Sequence, residues 1–322
     1  MDRGRERIVE LAGWIAIAVT GMVLLTQAVG WDPTTLVAVL QAVTPISLVM
    51  VFAIVVVASV ARAWWLAGTA SLVLFGTLAL AAPLVFTGSQ PVAATDSEGL
   101  SIAAVNLLFD NPIVEQLADD LEERAPDVIA FSEYTTAHRR ILGGHPLADR
   151  YPHRIDLDES FGSGMAMWSR YPIVRRGPDV GARRGIDVTL DGPDGSIRVV
   201  AVHPKTPISD FDAWKSTLRT IGDSASGSPT PTVVVGDFNA SYWHPAFRDL
   251  LDRGLTDAHI AAGRGWSTSW PTDSVVPAFV RLDHALTDDQ LAVTDLVDFE
   301  PPGSDHRAFV VTVSPVDVSP GG

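Results

Sequence analysis

The sequence predicts an α/β domain folded as a sandwich of mixed β-sheets and carried behind three transmembrane α-helices. Three observations predict it. The first 86 residues hold three apolar stretches, Ile8 to Ala28, Leu36 to Val60 and Trp64 to Phe86, each near the ~20 residues that a bilayer core requires. The remainder has many short β-forming runs and few helical patterns, and several runs follow one another directly, against strict βαβ alternation. Six polar segments lie at or beside the ends of such runs, as expected of one site gathered from distant parts of the chain.

The apolar stretches read as an anchor over residues 1–86. Glu10 sits at the edge of the first and Arg62 between the second and third. None shows the polar stripe of a core helix. A cleaved signal peptide is disfavoured because two further stretches follow and no small-residue cleavage site stands after Ala28. Arg3, Arg5, Arg7 and Arg62 place the N-terminus in the cytoplasm and everything after the third stretch outside. Trp31, Trp64 and Trp65 fall at the expected interfaces. Residues 87–99 are small, polar and turn-rich, and read as a linker.

The domain is expected over residues 100–322. Leu100 to Leu108 reads as a strand, and Asn111-Pro112 as the cap of a helix with Val114, Leu117 and Leu121 inward. Val128 to Phe131 and Gly164 to Trp168 read as strands. Ile186 to Leu190 and Ile197 to Val202 flank Asp191-Gly192-Pro193-Asp194-Gly195, a hairpin signal. Asp212 to Ile221 has helical spacing with Trp214, Leu218 and Ile221 on one face. Thr232 to Val235, Val280 to Ala285 and Ala308 to Val313 complete the strands, and the tail from Ser314 is expected to fray.

Composition narrows the chemistry. There is no cysteine, which excludes disulfides, thiolate zinc sites and cysteine nucleophiles. Residues 1–95 balance four Arg against four acids, so the whole net charge of −15 lies in the remainder, with all eight histidines. That charge argues against a nucleic acid as substrate, because phosphate neutralisation supplies most of such binding.

GDFNAS is the strongest motif. Asp237 and Asn239, two apart at a strand end, share one face of an extended backbone and suit a metal, a water or a phosphate oxygen. SDH supplies His306 as a candidate general base, Asp283 to orient it, and Asp305 for a metal. His203 is a candidate for stabilising charge or protonating a leaving oxygen. Glu133 follows a fully apolar strand and is the leading metal carboxylate; Asn106 would fix a phosphate oxygen or a metal-bound water. Hard oxygen ligands with two histidines suit a Mg²⁺-type ion and phosphate ester hydrolysis. His138, His145 and His153 read as surface residues and Arg183-Arg184 as a solvated turn. Tyr242, Trp243, Trp266 and Trp270 are either core or an apolar substrate wall.

These motifs, in this order from about Leu100 to Val313, resemble the endonuclease/exonuclease/phosphatase superfamily of metal-dependent phosphoesterases. The resemblance implies a four-layer α/β/β/α sandwich with the site on loops at one end. It implies that Glu133, helped by Asn106, Asp305 and Asp237, binds Mg²⁺ or Mn²⁺. Asp237 and Asn239 would then orient the attacking water, His306 with Asp283 would be its base, and His203 would stabilise the transferring phosphoryl group. Asn106, His203 and Asn239 would contact substrate. Ser132 stands where many relatives place Gln. The apolar stretches followed by this domain also resemble a bacterial membrane-bound subgroup that includes glycopeptide (vancomycin/teicoplanin) resistance-associated proteins, which implies a lipid or lipid-linked phosphate of the envelope as partner. A nuclease or phospholipase C-like diesterase is the alternative reading, and no obligate protein partner is inferred.

Overall fold

The computed structural model describes residues 3–88, 91–159, 161–177 and 185–317, with side chains from residue 7 onward. Arg183 and Arg184 lie outside them. Four helices open the chain: α1 (Arg3–Ala28), α2 (Thr35–Ala42), α3 (Thr44–Val60) and α4 (Trp64–Leu80). The domain then runs β1 (Leu100–Asn106), α5 (Val114–Arg124), β2 (Val128–Ser132), α6 (Thr136–Gly144), β3 (His153–Leu157), β4 (Met165–Ser169), β5 (Ile173–Arg176), β6 (Gly185–Gly192) and β7 (Gly195–Val202). It continues with α7 (Phe211–Ala225), β8 (Thr232–Asp237), α8 (Pro245–Asp252), β9 (Thr256–Asp257), α9 (Ala258–Ala261), β10 (Asp283–Thr287), β11 (Leu291–Phe299) and β12 (Ala308–Pro315).

The strands form two six-stranded mixed sheets, ordered β11-β12-β1-β2-β4-β3 and β5-β6-β7-β8-β10-β9. Alternation along each strand divides the core into layers. Ile102 and Ala104 of β1 meet Val233 and Val235 of β8 between the sheets. Ala103 and Val105 face outward under α5. Val234 faces outward under α7, where Trp214, Leu218 and Ile221 are buried; burying a large apolar side chain contributes roughly 1.5–3 kcal/mol. Central strands covered on both faces read as unbroken apolar runs, which is why they were expected.

Parallel pairing of β1 with β2 and of β7 with β8 brings four strand C-termini to one end of the sandwich. Antiparallel pairing of β12 with β1 and of β10 with β8 brings two strand N-termini to the same end. All the expected site residues stand there.

The N-terminal part departs from three uninterrupted spans. Among the described residues only residues 7–28 form a helix long and apolar enough to cross a membrane. The expected span Leu36 to Val60 is broken: α2 and α3 meet at an angle of 64° at Val43. Pro45 has no N–H for the Gln41 carbonyl and its ring clashes there, and the Thr44 hydroxyl donates to that carbonyl instead, at 2.7 Å. α4, with 17 residues, is shorter than the expected stretch to Phe86 and ends in the 3₁₀ turn Ala82–Leu84.

These helices are bound to the domain. Gln27 Nε2 donates to the Trp243 carbonyl at 3.0 Å, Lys215 Nζ to the Asp32 carbonyl at 2.9 Å, and the Tyr242 hydroxyl to the Leu80 carbonyl at 3.1 Å. The expected linker is partly structured: the Ala94 N–H donates to Pro315 at 2.9 Å and Ala93 bridges Val316, so the chain from Ser314 to Asp317 is held in place.

Candidate active site

Asp283 opens β10 directly opposite Asp237, the last residue of β8. Gly236 makes that ending possible. Its φ is +135°, and a Cβ there would lie 2.2 Å from the Val202 carbonyl oxygen of β7. His306 reaches across from the other sheet. Its Nδ1 lies 2.7 Å from Asp283 Oδ2, which fixes the ring and leaves Nε2 facing the cleft. Nε2 is 3.9 Å from Asp237 Oδ2 and 4.0 Å from Asp305 Oδ1. His203, just after β7, places its own Nε2 3.7 Å from the same Asp237 oxygen. Asp237 thus stands between the two imidazoles.

Asn106, at the end of β1, ties the sheets together. Its amide donates to Glu133 Oε1 at 3.2 Å and to Asp237 Oδ2 at 3.1 Å, while its carbonyl accepts from the Leu108 N–H at 3.0 Å. In this arrangement Asn106 aligns the two carboxylates, and its carbonyl oxygen, with one lone pair used by Leu108, keeps a second for an ion or a water. Glu133 has φ +57°, and its Oε2 accepts from the Phe109 N–H at 2.9 Å. A carboxylate residue in the left-handed region is held there by its surroundings, here the Phe109 and Asn106 contacts.

Asn239 differs from the expectation. β8 ends at Asp237, so the two side chains do not share an extended face. Asn239 has φ +49°, its N–H donates to Asp237 Oδ1 at 2.8 Å, and its amide donates to the Pro204 carbonyl at 3.0 Å. It steadies Asp237 and the loop after His203, and also lines the cleft.

Burial shapes the electrostatics. It pushes the Asp237 carboxyl up, with nearby carboxylates adding to the shift. Burial also raises Glu133. For Asp283, burial is outweighed by the His306 charge and hydrogen bond, which hold it below the ordinary range. For His306, burial is outweighed by Asp283 and Asp237, which raise it. Carboxylates exceed cations in this buried site, a balance that a divalent cation relieves.

One buried oxygen points to where such an ion fits. Asp305 Oδ2 accepts from Trp270 Nε1 at 3.1 Å, but buried Oδ1 has no hydrogen-bond partner. With Glu133 across the cleft it forms a hard, anionic donor pair suited to Mg²⁺ or Mn²⁺. Asp237, Asp283 and His306 also offer ligand atoms within 4.8 Å of one another. Asp283 and His306 already bond each other there, so that triad is better matched to proton transfer.

Sequence reasoning missed several contributors. Trp270 orients Asp305, whereas Tyr242 and Trp243 pack on Ala81 and Leu84 at the end of α4. His138, expected at the surface, is buried and caps α6 with Thr135. His284 is buried, bonding Asp257 at 2.7 Å and lying 3.1 Å from the Ala240 carbonyl. Burial alone would raise Asp257, but the His284 charge and hydrogen bond hold it at about 2. His244 reaches α2: Nδ1 accepts from the Ser241 N–H at 2.9 Å, so Nε2 carries the proton and donates to the Ala38 carbonyl at 3.0 Å. The cleft, about 780 Å³, therefore has α2 as a wall: Ala38, Val39, Ala42 and the C-cap Val43 line it together with Glu133, Asp237 and Asp305.

Comparison with known proteins agrees with this arrangement. No curated protein matches the chain. Among solved structures, D. rerio TDP2 complexed with a single-strand DNA product is 16% identical, with a TM-score of 0.57 over 67% of this chain and 99% of that one. An endonuclease/exonuclease/phosphatase family protein from Leptotrichia buccalis is 18% identical, with a TM-score of 0.53 over 67% and 99%. Another, from Beutenbergia cavernae, is 19% identical, with a TM-score of 0.51 over 67% and 72%. At these identities the likeness establishes the fold. The Endonuclease/Exonuclease/phosphatase family matches residues 103–306, a span that begins in β1 and ends on His306. With that span covering more than half of the sequence, the chain belongs to the endonuclease/exonuclease/phosphatase family, whose enzymes hydrolyse phosphoesters and use divalent metals.

Proposed function

We propose that the protein is a membrane-tethered, metal-dependent phosphoesterase that hydrolyses a lipid-linked phosphate or diphosphate at the outer face of the membrane. The observation that carries the reading is the shared wall: the cleft holding Asp237 and His306 is closed on one side by α2 of the apolar N-terminal part. The outer faces of α1, α3 and α4 expose Ile8, Leu11, Met22, Val49, Phe52, Leu72 and Phe75, an apolar surface far beyond what a protein shows to water. In this reading the anchor, in residues 1–86, rests on the one helix long enough to span, residues 7–28, with the broken α2–α3 segment and the shorter α4 packed beside it, followed by a domain over 100–322. Arg7 and Arg62 mark the end of the bundle remote from the domain, which supports a cytoplasmic N-terminus. The Gln27 contact ties the first helix, and the Asp32 contacts the turn after it, to the domain, as expected of a retained segment.

Glu133 and Asp305 would hold Mg²⁺ or Mn²⁺, which when bound neutralises charge on the phosphate oxygens. Once a bound cation offsets the carboxylates that raise His306, its Nε2 would take the proton of the attacking water, and Asp283 would stabilise the imidazolium through Nδ1. Asp237, held by the Asn239 N–H and the Asn106 amide, orients that water. His203 Nε2, on the other side of Asp237, donates to the phosphoryl or leaving oxygen. Full-length protein with Mg²⁺ should release inorganic phosphate from a polyprenyl diphosphate, and His306→Ala should not. Absence of release from every lipid phosphate by metal-loaded protein would remove this reading.

Likeness to TDP2 bound to single-strand DNA product favours a second reading, a nuclease or phosphodiesterase. The net charge of −15 opposes it.

A further inference from the structure

The cleft is larger and more apolar than a phosphate group needs, and its apolar side has a defined construction. Val39 of α2 and its C-cap Val43 line the same cleft as Glu133, Asp237 and Asp305. The opposite bank is the loop after His203, where Ile208 is 72% exposed, with Phe279 and Leu282 alongside. The two banks are joined: the Thr35 hydroxyl at the start of α2 donates to the Pro207 carbonyl at 3.1 Å. At its other end α2 turns through 64° into α3, whose first turns expose Ile46, Val49 and Met50. The wall of the active site is therefore continuous with the apolar surface of the bundle.

We propose that α2 is the binding surface for the hydrocarbon chain of the substrate. The phosphate lies in the cleft against the Glu133–Asp305 pair and His203, and the first carbons of a linear isoprenoid or acyl chain lie on Val39 and Val43. The chain leaves the cleft at Val43 onto α3. The bend at Val43 is what allows one apolar segment both to enter the bundle and to wall the site. His244 acts here as a positioning residue, since its bond to Ala38 fixes α2 against the domain. This assignment rests on the lipid reading above and adds to it that α2 selects for chain length.

The chain has no cysteine, so a single one can be placed and labelled. Full-length Val43→Cys carrying a bimane label, in nanodiscs, would be titrated with farnesyl diphosphate and with isopentenyl diphosphate. The expected result is a bimane emission shift with the 15-carbon compound and none with the 5-carbon one, because only the longer chain reaches Val43 and buries apolar surface there. In unlabelled protein, kcat/KM for the longer compound should exceed that for the shorter by at least about tenfold, and Val39→Glu should collapse the ratio. Hydrolysis of farnesyl diphosphate with a ratio unchanged in Val39→Glu would overturn the α2 assignment and leave the lipid reading intact. A bimane shift without hydrolysis of any lipid diphosphate would uphold α2 as the chain surface and overturn the enzymatic reading. Neither shift nor hydrolysis would overturn both.

Discussion

His244 Nε2 donates to the carbonyl of Ala38 at 3.0 Å, across 206 residues of sequence. Ala38 lies in the apolar N-terminal part and His244 in the loop before α8. One neutral imidazole thus joins the N-terminal helices to the β-sandwich beside the candidate active site. Burial holds its pKa down to about 4, against 6.5 for a free side chain.

That depression makes a stability prediction. Above pH 6.5 His244 is neutral in both folded and unfolded chains and contributes no pH dependence. As pH falls below 6.5 the unfolded chain takes up a proton that the folded chain refuses until about pH 4, so stability falls. Between pH 7.5 and pH 5 this amounts to about 2 kcal/mol. Denaturant unfolding of His244→Gln should show a shallower loss over that interval than the parent protein. Equal slopes would mean that His244 is not buried neutral.

The proton-transfer pair should fail as a unit. His306→Ala removes the candidate base and should lower kcat by about 10²–10⁴-fold. Asp283→Asn leaves the volume but loses the carboxylate that orients Nδ1, and should lower kcat by a similar order with little change in KM. The double variant should be little worse than either single one, measured as phosphate release at saturating metal. Additive losses would place the residues in separate steps.

Metal affinity should depend on Asp305 and Glu133 and hardly on Asp283. Asp305→Asn and Glu133→Gln are each expected to weaken Mn²⁺ binding about 10–100-fold by paramagnetic titration. Chelation should abolish turnover, and Mg²⁺ should restore it. Retained Mn²⁺ affinity in both variants would place the ion elsewhere.

Gly236→Ala tests how the site is assembled. The new Cβ meets the Val202 carbonyl oxygen at 2.2 Å in a backbone region closed to alanine. Rearrangement would part β8 from β7 and displace Asp237 from His203. A destabilisation of about 2–4 kcal/mol is expected, with loss of activity in the fraction that folds. Parent-like unfolding would show that the strand ending tolerates another geometry.

Central strands and site motifs were readable in the sequence because both have local signals. β1, β2 and β8 are apolar on both faces, and Asn106, Glu133 and Asp237 stand where those runs stop. β3, β5 and β11 were not read. They lie at sheet edges, half-exposed and interrupted by charges such as Arg154, Arg175 and Asp295, so neither an apolar run nor a clean alternation survives. The break at Thr44-Pro45 carried a proline signal, but hydropathy alone runs through it. His244 was hidden for a different reason: its partner is a backbone carbonyl far away in sequence, and no spacing rule reports such a contact.

The central claim is that the site acts on phosphates attached to a lipid. The most direct test compares, with one preparation of full-length protein in Mg²⁺, kcat/KM for a polyprenyl diphosphate against that for single-stranded DNA. The account predicts turnover of the lipid at least about a hundredfold more efficient, abolished by His306→Ala. Cleavage of DNA with the lipid left intact would contradict it.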